Sequence, residues 1–318
     1  RTPFYAESGG QVGDRGVLVA GAGDARFDVE DTRKRAQAHI HVGTVATGTL
    51  KVGDKVDAYV DVERRRAIMR HHSATHLLHA ALRRVLGDHV RQKGSLVAPD
   101  YLRFDFAHGE ALSLDQREEI ETLVNRQILD NAAVTTELMD MDTAKQAGAM
   151  ALFGEKYDSE VRVLTMGSDG FSKELCGGTH VRQTGAIGVF VTIAEGASSA
   201  GVRRIEALTG ADAFRYLSEQ DHRLAAVASE LKSRPEDTVD RVRALLKAEA
   251  ERVVALGQDA DEIDPARRAS SGCRVGRGLD RERYEDVFTE KPGAEIISAM
   301  APTARMIRVG VARPRVAA

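Results

Sequence analysis

The sequence predicts an α+β protein: a small glycine-motif β-barrel, then a metal-bearing two-layer α/β core, then an α-helical hairpin. Three observations lead there. Short apolar strands separated by glycine turns fill residues 1–60. Helical and strand periodicities alternate over residues 61–210. Within that stretch lie two short pairs of metal-ligating residues, His72-Ser73-Ala74-Thr75-His76 and Cys176-Gly177-Gly178-Thr179-His180.

The barrel rests on strands at Gly16–Val19, Arg26–Val29, His39–Val45 and Lys55–Val60, with Gly-Ala-Gly-Asp and Val-Gly-Asp turns between them. The run Gly9-Gly10-Gln11-Val12-Gly13-Asp14 is a glycine-rich turn, suited either to plain turning or to close backbone approach to a ligand. Arg65 to Leu86 has Ile68, Ala74, Leu77, Leu78, Ala81, Leu82 and Val85 at helical spacing and no glycine or proline before Gly87. Strands follow at Val90–Val97 and Leu102–Phe106. Ser113 with Gln116 forms a capping-box pattern opening a helix that turns Ile120, Leu123, Val124 and Ile128 inward. A strand at Val134–Leu138, a helix at Thr143–Phe153, and strands at Val161–Met166, Ile187–Ala194 and Val202–Leu208 complete the core. Over 211–257, two amphipathic faces (Phe214 to Leu231, then Val239 to Leu256) flank Pro235 and predict the hairpin, a candidate surface for self-association. Residues 258–318, rich in Arg, Gly, Ala and Pro, read as a weakly ordered tail.

Composition excludes several classes. The 318 residues are 42% hydrophobic, enough for a sizeable core. No stretch is apolar for long enough to span a membrane, and no signal peptide is visible, which points to a cytoplasmic setting. Two cysteines cannot build a disulfide framework. The net charge of −3 neither demands nor excludes a nucleic-acid partner. The chain opens at Arg1 and reads as a piece of a longer protein.

On one face of a helix, residues four apart point the same way, so His72 and His76 can ligate together. With Cys176 and His180 they make a set of three imidazoles and a thiolate, for which one zinc ion is the default choice. Ser73 stands where a zinc-protease helix needs glutamate, so that chemistry is excluded. His79 reads as an outer or structural neighbour. Arg64, Arg65, Arg66 and Arg70 form either an electrostatic approach for phosphates or a solvated helix start.

These motifs resemble the editing region of alanyl-tRNA synthetase. Gln92-Lys93-Gly94-Ser95, the opening Arg1 to Gln11, and Gly201-Val202-Arg203-Arg204-Ile205-Glu206 match the same family. The resemblance covers residues 1–257 and implies a barrel over 1–60, an editing core over 61–210 and a hairpin over 211–257. It implies zinc ligands at His72, His76, Cys176 and His180, with Thr75 and Gln92 in the editing pocket. Gly9, Gly10, Gln11 and Gly13 would lean toward the aminoacyl group, and Arg203 and Arg204 would form a basic stretch toward the acceptor end of tRNA(Ala). The implied reaction is hydrolysis of seryl- and glycyl-tRNA(Ala), within a parent protein that ligates alanine. A free-standing deacylase, a threonyl-type editing domain and a non-catalytic zinc-stabilised tRNA-binding module are the rival readings. The tail over 258–318 does not resemble the family's C-terminal domain; a shifted reading frame and a divergent end both explain it.

Overall fold

The computed structural model describes residues 1–36, 38–150 and 160–263. Arg1–Thr238 form one compact unit, and the residues from Val239 onward a second. In the first unit, β1 (Gly16–Ala20), β2 (Ala25–Arg35), β3 (Ala38–Thr47) and β4 (Val56–Val60) make an antiparallel sheet of order β3-β2-β1-β4. This sheet is open, where a barrel was expected, with β3 and β4 as its edges. Closure needs matched strand lengths, tilt and shear. β1 and β4 have five residues each, about half of β2 and β3, so the outer half of the β2–β3 arm has no third strand to curl against.

The helix α1 (Val62–Leu86) is the centre of the unit. It begins where Asp61 accepts the Arg64 backbone N–H at 3.0 Å, and it ends at Gly87, whose φ of 109° is outside the helical range. Residues 71–79 are buried without interruption, so all faces of this stretch are covered. One neighbour is α2 (Leu114–Leu129), started by the full Ser113/Gln116 capping box. Another is a sheet of β5 (Gln92–Val97), β6 (Leu102–Ala107), β10 (Phe190–Ser199) and β11 (Val202–Thr209), ordered β10-β11-β6-β5. Leu77, Leu78, Leu82, Phe104, Phe106, Ile120, Val124 and Ile205 fill the shared core. A three-stranded sheet, β7 (Thr135–Asp140), β8 (Glu160–Met166) and β9 (Ser172–Leu175), carries the chain into the cysteine motif.

Several boundaries differ from expectation for local reasons. The strand expected from Ile187 starts at Phe190, because Thr184–Ile187 is a 3-10 turn closed by Gly188 at φ 75°. The helix expected over Thr143–Phe153 is α3 (Met141–Gln146), capped by Asp140 and ended ahead of Gly148 at φ 77°; 151–153 lie outside the described residues. α4 (Gly210–Glu230) precedes the turn at Pro235, and α5 (Thr238–Ile263) is the described part of the second unit. The tail expected to begin at 258 is thus helical through Ile263, and 264–318 lie outside the described residues. No helix among the described residues is long and apolar enough to cross a membrane.

Residues 1–14 are tied to α1 by charge. Arg65 Nε lies 2.8 and 2.9 Å from the two carboxylate oxygens of buried Asp14, and Arg65 also donates to the Pro3 carbonyl at 2.9 Å. Arg64 donates to the Gly13 carbonyl at 2.8 Å, and Arg66 pairs with Glu63 at 2.7 Å. Three of the four arginines weighed as a phosphate approach are therefore engaged within the protein, two of them in holding the N-terminal segment. Arg65→Ala strands the Asp14 charge in the interior and is expected to cost about 3 kcal/mol of unfolding free energy in urea. A loss no larger than that of an exposed pair, about 0.5 kcal/mol, contradicts this account.

Candidate metal centre

One turn of α1 sets the imidazoles of His72 and His76 side by side, their ring centres 5.2 Å apart. Cys176 and His180 arrive from the loop after β9. Gly178 in that loop faces the His72 ring so closely that a Cβ would collide with it. The four donor atoms all lie within 4.8 Å of one another. Cys176 Sγ is 3.5 Å from His72 Nε2 and 3.3 Å from His180 Nε2. All four residues are buried.

Each histidine is held from behind. Gln11 Oε1 lies 2.7 Å from His72 Nδ1, Glu174 Oε2 2.7 Å from His76 Nδ1, and Ser73 Oγ 3.3 Å from His180 Nδ1. Metal-ligating histidines almost always have such a partner, which fixes the ring and its tautomer. His76 Nε2 has no hydrogen-bond partner among the described residues although it is buried and faces the other three donors. A bound cation would satisfy that nitrogen, so the set fits a metal ion. Glu174 also lies 3.0 Å from His79 Nδ1, which makes His79 an outer neighbour of the cluster.

The electrostatics favour the ligating forms of Cys176 and His180 and oppose that of His76. Burial pushes the Cys176 thiol up, but His72 and His76 outweigh it and hold the thiol well below its usual range. Burial and the neighbouring His72 depress His180 to about 3, so it is neutral. Burial opposes charge on His76 as well, yet Glu174 and Cys176 raise it to about 10. Glu174 is lowered to about 2, its burial outweighed by His76. His76 therefore carries a proton at neutral pH that an entering metal must displace.

Beside the centre opens a cavity of about 400 Å³ whose lining includes Gly9, Thr75, Gln92 and Gly177 together with His72, His76 and Cys176. Thr75 Oγ1 donates to the His71 carbonyl at 2.8 Å, which leaves its lone pairs to accept. Gly10 is not in the lining. Its φ is 83°, and a Cβ there would lie 2.6 Å from the Ser95 carbonyl oxygen. Gly13 likewise abuts the Thr32 carbonyl. The close approach these two glycines permit is to the protein's own backbone. Gln11 is fully buried and outside the lining. Arg203 is paired with Glu195 at 2.6 Å, and Arg204 makes two bonds to Asp105 at 2.7 and 2.8 Å, which hold that carboxyl below the usual range. Neither arginine lines the cavity. Glu174, Ser73 and Arg162, which donates to the carbonyls of Cys176 (3.1 Å) and Gly178 (2.6 Å), complete the surroundings and were not foreseen. Ser172 and Glu174 alternate on β9, but four residues are too few for that period to mark the site in the sequence.

Residues 1–64 match the family model described as tRNA synthetases class II (A). Residues 161–206 match the model described as threonyl and alanyl tRNA synthetase second additional domain. Both matches fit the editing region of an alanyl-tRNA synthetase. They support an editing role in an aminoacyl-tRNA synthetase. The second matched stretch contains Glu174, Cys176 and His180, so half of the four-donor set lies inside it.

A metal bound here would displace the His76 proton, so its apparent affinity is expected to rise with pH across the neutral range, by up to tenfold per unit, with about one proton released per ion. Calorimetry in buffers of different ionisation enthalpy measures that proton. An affinity that is flat between pH 6.5 and 8.5, with no release, contradicts the assignment of the proton to His76.

Proposed function

We propose that this chain is the editing portion of an alanyl-tRNA synthetase, hydrolysing the aminoacyl ester of seryl- and glycyl-tRNA(Ala) with one zinc ion in the four-donor site. The observation that carries the reading is the cavity that Thr75, Gln92 and Gly9 share with the donor cluster. Zinc suits one sulfur and three nitrogen donors. At zinc bond lengths, tetrahedral donors stand about 3.3–3.6 Å apart; two of the three sulfur–nitrogen separations here are 3.5 and 3.3 Å, and all four donors lie within 4.8 Å, so a bound ion would draw the widest pair inward.

The need for such a site follows from small differences in size. A pocket for alanine gains only about 1–3 kcal/mol from the methyl that glycine lacks, and it rejects an added hydroxyl only about 10²-fold. A second, hydrolytic site must then prefer the serine hydroxyl to the alanine methyl. Thr75 Oγ1 already spends its proton on the His71 carbonyl, so it presents lone pairs to a donor in the cavity. A serine hydroxyl can donate there and an alanine methyl cannot. Gln92, in the cavity wall on β5, can orient the ester or the attacking water through its amide. Bound zinc would supply Lewis acidity or, in a closed four-ligand set, an anchor for the tRNA 3′ end. The four protein ligands favour the anchor, with attack by water assisted by the polar groups around it.

The test is ester loss from seryl-tRNA(Ala) and alanyl-tRNA(Ala) with the chain, its Cys176→Ala variant and its Gln92→Ala variant, bound metal being measured alongside. Serine is expected to be lost faster than alanine, Cys176→Ala to lose both metal and activity, and Gln92→Ala to fall about tenfold at unchanged metal content, the worth of one hydrogen bond. Survival of seryl-tRNA(Ala) in the presence of a folded chain with stoichiometric zinc overturns the hydrolytic reading and leaves a tRNA-binding module.

A further inference from the structure

Gln11 belongs to the glycine-rich segment expected to lean on substrate, yet both polar atoms of its side chain are engaged inside the protein. Oε1 accepts the Thr179 backbone N–H at 2.9 Å and lies 2.7 Å from His72 Nδ1. Nε2 donates to Thr179 Oγ1 at 2.9 Å. The side chain is fully buried, 61 residues from His72 and 168 from Thr179 along the chain.

These bonds form a one-way chain of logic. A backbone N–H can only donate, so the amide atom facing Thr179 N is the oxygen. That same oxygen faces His72 Nδ1, so Nδ1 carries the ring proton and donates it. Nε2 is then the nitrogen left to ligate a metal, and it is the one 3.5 Å from Cys176 Sγ. Thus the backbone of the cysteine loop dictates, through Gln11, which nitrogen of a helix histidine faces the metal site. Gly178, without a side chain, lets the ring and the amide oxygen come together. The segment bearing Gln11 is itself pinned to β5, with Val97 N–H donating to the Gly10 carbonyl at 2.8 Å and Val12 N–H to the Val97 carbonyl at 3.1 Å.

We propose that Gln11 is a positioning residue of the metal centre, its buried amide locking the His72 tautomer and the Thr179 loop so that the N-terminal segment completes the site. The proposal needs the four-donor site but not the hydrolytic reading, and its readout is metal binding.

The experiment measures metal affinity of the full chain by competition with a chromophoric chelator, together with the visible spectrum of the cobalt(II)-loaded protein. Gln11→Leu removes both acceptor bonds at similar size and is expected to weaken affinity about 10–100-fold and to alter the cobalt spectrum. Gln11→Glu keeps an oxygen for His72 and for Thr179 and is expected to restore most of the affinity and the parental spectrum. Gln11→Asn keeps a buried amide but withdraws it by one methylene; it is expected to match the leucine variant, and it carries the comparison if leucine prevents folding. Affinity within about twofold of the parent in the leucine or asparagine variant overturns the proposal. So does equal weakness of the glutamate and leucine variants, which would mean general disruption and no role for the acceptor.

Discussion

The constraint on which the N-terminal unit depends is the cost of burying three imidazoles and a thiolate together. Polar groups taken from water must be satisfied inside the protein, and an unpaired one costs several kcal/mol. The chain meets this with a separate partner for each ring: Gln11 for His72, Glu174 for His76 and Ser73 for His180. Those partners come from the N-terminal segment, from β9 and from α1 itself. The site is therefore a joint between three parts of the chain, and α1 is buried along 71–79 because the N-terminal segment and β9 close on its ligand face while α2 and the β10-β11-β6-β5 sheet cover the rest.

The same joint explains the reassignment of residues along the opening segment. Gly10 and Gly13 press against the carbonyls of Ser95 and Thr32, and Asp14 holds Arg65. Gly9 alone of the four candidates from this segment lines the cavity, next to Thr75 and Gln92. Access to the donors and support of the donors are thus divided between neighbouring residues. Arg203 and Arg204 belong to the support of the sheet, where they are paired with Glu195 and Asp105.

Much of this was legible because it is local. The i, i+4 spacing of His72 and His76, the cap at Ser113 and Gln116, and the alternation over Leu102–Phe106 depend only on neighbours in sequence. The fourfold donor set was legible because both pairs carry short-range spacing. What escaped depends on partners distant in the chain. Arg204 lies directly opposite Asp105 across the β6–β11 ladder, a register no linear pattern reveals. Gln11 reaches Thr179 across 168 positions. Barrel closure failed as an expectation because turn signals mark where strands end and say nothing of how many residues two strands share. The four-residue β9 is too short for its period to register.

The central claim is that His72, His76, Cys176 and His180 hold one metal ion, proposed to be zinc. X-ray absorption at the zinc edge of the purified chain, with metal content measured in parallel, tests it most directly. The account requires about one zinc per chain in a four-coordinate shell of three nitrogens and one sulfur. A chain that takes up no zinc, or a shell that contains no sulfur, would contradict it.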